Sequence, residues 1–204
     1  MNEVRFEIET SDVVDGLCDF GVRLGDGSWH CQASYIGDFP LKPLLVSAVE
    51  LNSFIHQDED DRVIEDPVWD SRTADEPGGI VIRARPAGDD VAVTIYYYEG
   101  EPLWPDPKKC PDVAPVAEAV ITFREYAEAI YRDAVKVLVK HGVTGIHHHW
   151  SLGRWDKGEV SDVFPVPHLL RLAAILKGRV ENTPLSWPEE LAILREITSE
   201  APGG

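Results

Sequence analysis

Three consecutive histidines, His147-His148-His149, form the densest concentration of potential chemistry in the chain. If Val143–Trp150 is a strand, His147 and His149 share one face and His148 points to the other. A His-x-His pair on one strand face can offer two imidazoles to a zinc ion, and a third ligand must then come from elsewhere. Glu159, Asp162 and His168 lie downstream, and His30 or Cys31 can arrive from the N-terminal region. Such a site would make the chain a metal-dependent hydrolase. No His-Glu-x-x-His, Cys-x-x-Cys or His-Asp pair completes it. The plainer alternative needs no cofactor: a polar sheet edge flanked by Trp150, with structural or pH-sensitive surface histidines.

Other catalytic patterns are weaker. There is no Gly-x-Ser-x-Gly elbow, and Cys31 beside His30 is a sequence neighbour whose side chain would face the other way on a strand. Gly25-Asp26-Gly27 and Gly153-Arg154 lack the lysine and helix context of a phosphate-binding loop.

Charge is the stronger signal. The chain carries 36 acidic residues against 19 Lys and Arg, a formal net charge of −17. A field of that sign repels phosphate backbones and anionic membranes and attracts basic proteins. No basic stripe is legible that would argue for direct nucleic-acid binding. The acidity peaks in Asp58–Glu76, where nine carboxylates stand against Arg62 and Arg72. Asp58 and Asp60 have the first spacing of a calcium loop, but Arg62 and Trp69 occupy positions that such a loop gives to ligands. The segment reads as an acidic surface loop. Asp58, Glu59, Asp60, Asp61 and Asp66 are its candidate partner-binding residues, with Trp69 as an apolar anchor. Trp150 and Trp155 bracket Arg154 and form a second candidate partner surface, set against core packing of one of them.

The elements that must position these groups follow from periodicity. With 44% hydrophobic and 27% charged residues, the 204-residue chain has the composition of a globular protein with a sizeable core. Val4–Glu9 alternates as a half-buried strand, and Leu17–Leu24 and Trp29–Ile36 are strand-like runs with an Asp-Gly turn signal between them. After Asp38-Phe39-Pro40, Leu41, Leu44, Leu45, Ala48, Leu51 and Ile55 mark one helical face. Gly79–Arg85 and Val91–Tyr98 predict a second hairpin, and the proline-rich stretch Gly100–Pro115 predicts a connection without regular structure. Val116–Thr122 predicts a short strand. Thr122 and Glu125 then form a capping box for a helix that Gly142 stops. Val160–Phe164 predicts one more strand, Pro167 opens a further helix, and Ser186 with Glu189 caps the last.

Together these predict an α+β fold: a mostly antiparallel sheet built from hairpins, with helices packed on one face. Residues 1–178 are expected to form a single domain, and residues 179–204 a C-terminal helical extension with a frayed tail. The odd set of cysteines (Cys18, Cys31, Cys110), the lack of a secretory signal and the lack of a membrane-length apolar run predict a cytoplasmic protein. A small acidic chain of this layout, with tryptophans at loop ends, resembles the immunity proteins of bacterial polymorphic-toxin systems over residues 1–178. The resemblance implies stoichiometric inhibition of a toxin domain, often a basic nuclease, by acidic loops that cover its active site. The expected function is therefore that of an acidic cytosolic binding or inhibitor protein with a basic protein partner; the alternative is the hydrolase, with zinc on His147 and His149.

Overall fold

The computed structural model describes residues 4–34, 39–57, 67–75, 78–99, 114–151, 164–179 and 183–199. The chain is α+β, with two antiparallel sheets and four helices. The first sheet has the order β1 (Phe6–Thr10), β2 (Leu17–Leu24), β3 (Gly27–Ser34). Alternation sends Phe6, Ile8, Phe20, Val22, Cys31 and Ala33 into the core, while Glu7, Glu9, Arg23 and His30 stay on the outer face. The second sheet runs β4 (Trp69–Asp75), β5 (Gly78–Ala87), β6 (Asp90–Glu99), β7 (Ala117–Thr122), all in antiparallel pairs. Ile80, Ile82, Ala84, Val91, Val93 and Ile95 are its buried face, and β3 of the first sheet lies against β4 and β5.

Two tight hairpins, β2–β3 and β5–β6, turn on Gly-Asp. Leu24 pairs with Gly27 across Gly25-Asp26, and Ala87 pairs with Asp90 across Gly88-Asp89. The glycines that take the positive φ are Gly25 (60°) and Gly88 (69°). In the first hairpin the turn therefore begins one residue earlier than the expected Asp26-Gly27, because Gly27 already belongs to the ladder.

Helix α1 (Leu41–Ile55) buries the predicted Leu41, Leu44, Leu45, Ala48 and Leu51. Helix α2 (Phe123–Ser151) is launched by the expected capping box. Glu125 accepts from the Thr122 amide at 2.7 Å, and Thr122 Oγ1 accepts from the Glu125 amide at 3.1 Å. Tyr126 locks the layers together: its ring stacks on Phe6 with centroids 5.4 Å apart, and its hydroxyl shares a 2.8 Å hydrogen bond with Ser47 of α1. Helix α3 (Val166–Leu176) buries Leu169, Leu170 and Leu172. Helix α4 (Trp187–Ser199) starts at a second capping box, where Glu189 accepts from the Ser186 amide at 2.6 Å. It contacts α3 and sends Ile193 and Ile197 into the common buried cluster.

Two local expectations are overturned. Residues 143–150 are helix, not strand. Gly142, at φ 65° and ψ 163°, ends the first helical segment as expected, but a second helical segment of α2 follows it directly across the bend. Beyond the bend, Ile146 and Trp150 are both buried at i, i+4 spacing, which suits one face of a helix. Within the stretch expected to be one acidic loop, Trp69–Asp75 is strand β4 paired along β5. The expected strand over Val160–Phe164 falls, but for Phe164, outside the described residues.

Candidate functional site

The helical geometry of residues 143–151 dismantles the expected histidine pair. Two residues apart on a helix means about 200° of rotation, so His147 and His149 point to different sides of α2. A helical metal pair needs i, i+4 spacing, and neither histidine has such a partner in sequence. His149 instead meets the His148 ring edge-on, with centroids 5.4 Å apart, and its Nδ1 is buried with no hydrogen-bond partner among the described residues. Of the possible third ligands, Glu159 and Asp162 lie outside the described residues. Cys31 is buried opposite Phe20, and His30 lies on the outer sheet face, bonded to Ser28 Oγ at 2.9 Å. Among the described residues no group of three or more His, Cys, Asp or Glu side chains is placed to hold a metal ion.

The tryptophans divide. Trp150 is 1% exposed and meets Phe39 edge-to-face, while Phe39 also touches Phe164 at 6.2 Å. It is a core residue, removed from any partner by its own packing. Trp155 lies outside the described residues. Trp69 is half-buried at the start of β4. Its indole Nε1 donates to Glu50 at 2.5 Å, and its ring meets Phe54 edge-on at 6.2 Å. Glu50 and Phe54 sit in the last part of α1, so these contacts join the two elements that flank the acidic segment.

Asp58, Glu59, Asp60, Asp61 and Asp66 lie outside the described residues. Asp70, which the sequence counts with them, is already neutralised. It pairs in register with Arg83, whose Nε and Nη2 donate to its two oxygens at 2.7 and 2.8 Å. The Arg83 guanidinium also lies 5.4 Å from the centre of the Tyr96 ring. That carboxylate raises the guanidinium's pKa further, against the effect of burial. Six of the nine carboxylates in Asp58–Glu76 fall at residues 58–66, outside the described residues, where the sequence sets them against Arg62.

A second constellation lies along α2, and sequence reading misses it. Arg132, Lys136 and Lys140 fall one helical turn apart, a basic ladder visible only once the helix is placed. Two of its rungs face carboxylates: Lys136 lies 3.9 Å from Glu9, and Lys140 is paired with Asp12. Asp133, on the neighbouring face, is 4% exposed. Its Oδ1 accepts from the Thr10 amide at 3.1 Å, and its Oδ2 makes no hydrogen bond of sound geometry among the described residues. Burial pushes this carboxyl up to about 6, against the pull of the Thr10 amide and the nearby Thr10 hydroxyl. Two turns on, burial lowers the basicity of His141, with the nearby Asp12 acting in the opposite sense. No local pattern announces a buried aspartate on a helix; its partner lies 123 residues earlier in the chain.

Compared with protein-family models, with curated proteins and with solved structures, the chain matches none. No helix among the described residues is long and apolar enough to cross a membrane.

Proposed function

We propose that the chain is a non-enzymatic acidic binding protein, an inhibitor of the immunity-protein kind, that captures a basic protein through the segment between α1 and β4. The observation that carries this reading is the concentration of carboxylates at residues 58–66 between two elements joined by Trp69, Glu50 and Phe54. Anchoring both ends of a binding segment lowers the ordering cost it incurs on association. A field of −17 contributes mainly by steering a cationic partner into encounter and repelling anionic competitors. Partly exposed Trp69 supplies apolar area beside the charge, the combination that concentrates binding energy in interfaces.

The test is a triple reversal, Asp58→Lys, Asp60→Lys and Asp61→Lys, compared with the native chain. Partners are captured from lysate of the producing cells at low salt and identified, and association rates are then followed as salt is raised. The reversal is expected to slow association with the captured basic protein by about tenfold or more at low salt and to flatten its salt dependence. Equal capture by both proteins, or no specific basic protein captured by the native chain, overturns the reading.

A further inference from the structure

On the outer face of the first sheet, Gly21 stands in the middle of a cross-strand row, with Glu9 on one side and His30 on the other. Having no side chain, it leaves a depression into which the His30 ring leans. A Cβ at residue 21 would lie 2.6 Å from His30 Nδ1 and 2.7 Å from Cε1. Helix α2 walls this depression with a stripe at helical spacing that includes Arg132 and Asp133, and the result is a cavity of about 260 Å³. That is slightly under the roughly 300–1,000 Å³ of drug-sized sites and fits a ligand of amino-acid size.

The charges around the cavity are mostly matched. Arg23 lies 3.3 Å from Glu7, and Lys136 lies 3.9 Å from Glu9. Two groups are left over. Asp133 lines the cavity with one carboxylate oxygen held by the Thr10 amide and the other, near the equally unbonded Thr10 hydroxyl, without a hydrogen bond of sound geometry among the described residues. The adjacent Arg132 donates only through Nε, to the Glu128 carbonyl at 3.3 Å, and makes no ion pair with a carboxylate among the described residues. A buried carboxylate oxygen without a donor is costly, and a protonated amine is the group that would best satisfy it. A guanidinium with a free fork is matched by a carboxylate.

We propose that this cavity binds a small zwitterion of amino-acid size, its ammonium directed to Asp133 with Glu9 nearby and its carboxylate to Arg132, beside the His30 ring that lies over Gly21. The carboxyl of Asp133, raised to about 6 by burial, is ionised at neutral pH and so can receive the ammonium. Binding draws on α2 and the first sheet alone and does not involve the acidic segment.

The test is calorimetric titration of the full-length chain at neutral pH with each protein amino acid in turn. Methylamine and acetate serve as half-ligand controls. At least one amino acid is expected to bind saturably, and each half-ligand at least about tenfold more weakly. Gly21→Val, which displaces the His30 ring from its place over residue 21, and Arg132→Gln, an exposed change that leaves the core untouched, are each expected to weaken that binding by about tenfold or more. Circular dichroism checks that both variants are folded, and Arg132→Gln alone decides if Gly21→Val does not fold. Three outcomes overturn the proposal: no saturable binding by any amino acid, acetate or methylamine binding as tightly as the zwitterion, or unchanged affinity in a folded Arg132→Gln protein.

Discussion

The Asp133 carboxylate accepts a hydrogen bond from the Thr10 amide, tying the middle of α2 to the end of β1. Thr10 Oγ1 and Asp133 Oδ2 are both buried without a geometrically sound hydrogen bond, although the two side chains are close enough for Thr10 to lower the carboxyl's pKa. Helix and sheet are thus joined at a point where an ionised group is tolerated rather than welcomed.

That junction gives stability an unusual pH dependence. With the folded pKa raised to about 6 above an unfolded value of ~3.9, the native state holds the proton more tightly. Asp133 therefore favours folding most below pH ~4, and that contribution is lost as pH rises through about 6. Asp133→Asn keeps an acceptor for the Thr10 amide and removes the ionisation. Its stability relative to the native chain is expected to rise between pH 4 and 7, by up to ~3 kcal/mol. Urea unfolding of both proteins at the two pH values checks this, and a pH-independent difference would sink it.

Trp150→Ala is expected to cost about 3–5 kcal/mol, because the indole fills a closed site against Phe39 and the surroundings can collapse only in part. Trp69→Phe, at a half-buried position, loses the hydrogen bond to Glu50 and is expected to cost about 1 kcal/mol. Denaturant midpoints separate the two, and a larger loss at Trp69 would contradict the core assignment of Trp150.

Arg83→Ala leaves Asp70 as a partly buried carboxylate without its two-pronged partner, at an expected cost of about 2–3 kcal/mol. Removing the carboxylate as well, in Arg83→Ala with Asp70→Ala, should restore part of that loss. A double-mutant cycle with no coupling would show that the pair has no energetic standing.

Gly142→Ala places a Cβ on a backbone that only glycine adopts readily, at φ 65° and ψ 163°. The expected penalty is about 1–3 kcal/mol, read as a lowered melting temperature. An unchanged melting temperature would mean that α2 straightens without loss.

The parts legible in the sequence are those specified by near neighbours. Thr122 with Glu125, and Ser186 with Glu189, need only three residues of chain to announce a helix start. The leucines of α1 and the alternation of β1, β2, β5 and β6 reveal themselves in the same way. Residues 143–150 are misread because three adjacent histidines draw the eye to a two-residue period, while the decisive spacing is that of Ile146 and Trp150. What lies across the fold is not legible at all. The placing of Asp133 against Thr10, the union of Asp70 with Arg83 and the lean of His30 over Gly21 are each made by strand register or helix docking.

Gly142 has a further consequence, for how this chain can change in length. Adding one residue to an unbroken α-helix rotates everything after it by about 100° and would swing Ile146 and Trp150 out of the core. At a residue whose dihedrals are already far from helical, part of that rotation can be absorbed by the bend itself. The two halves of α2 are to that extent insulated in register: one keyed to β1 through Asp133, the other to Phe39 through Trp150. An insertion beside Gly142 should be tolerated where the same insertion a turn earlier or later is not.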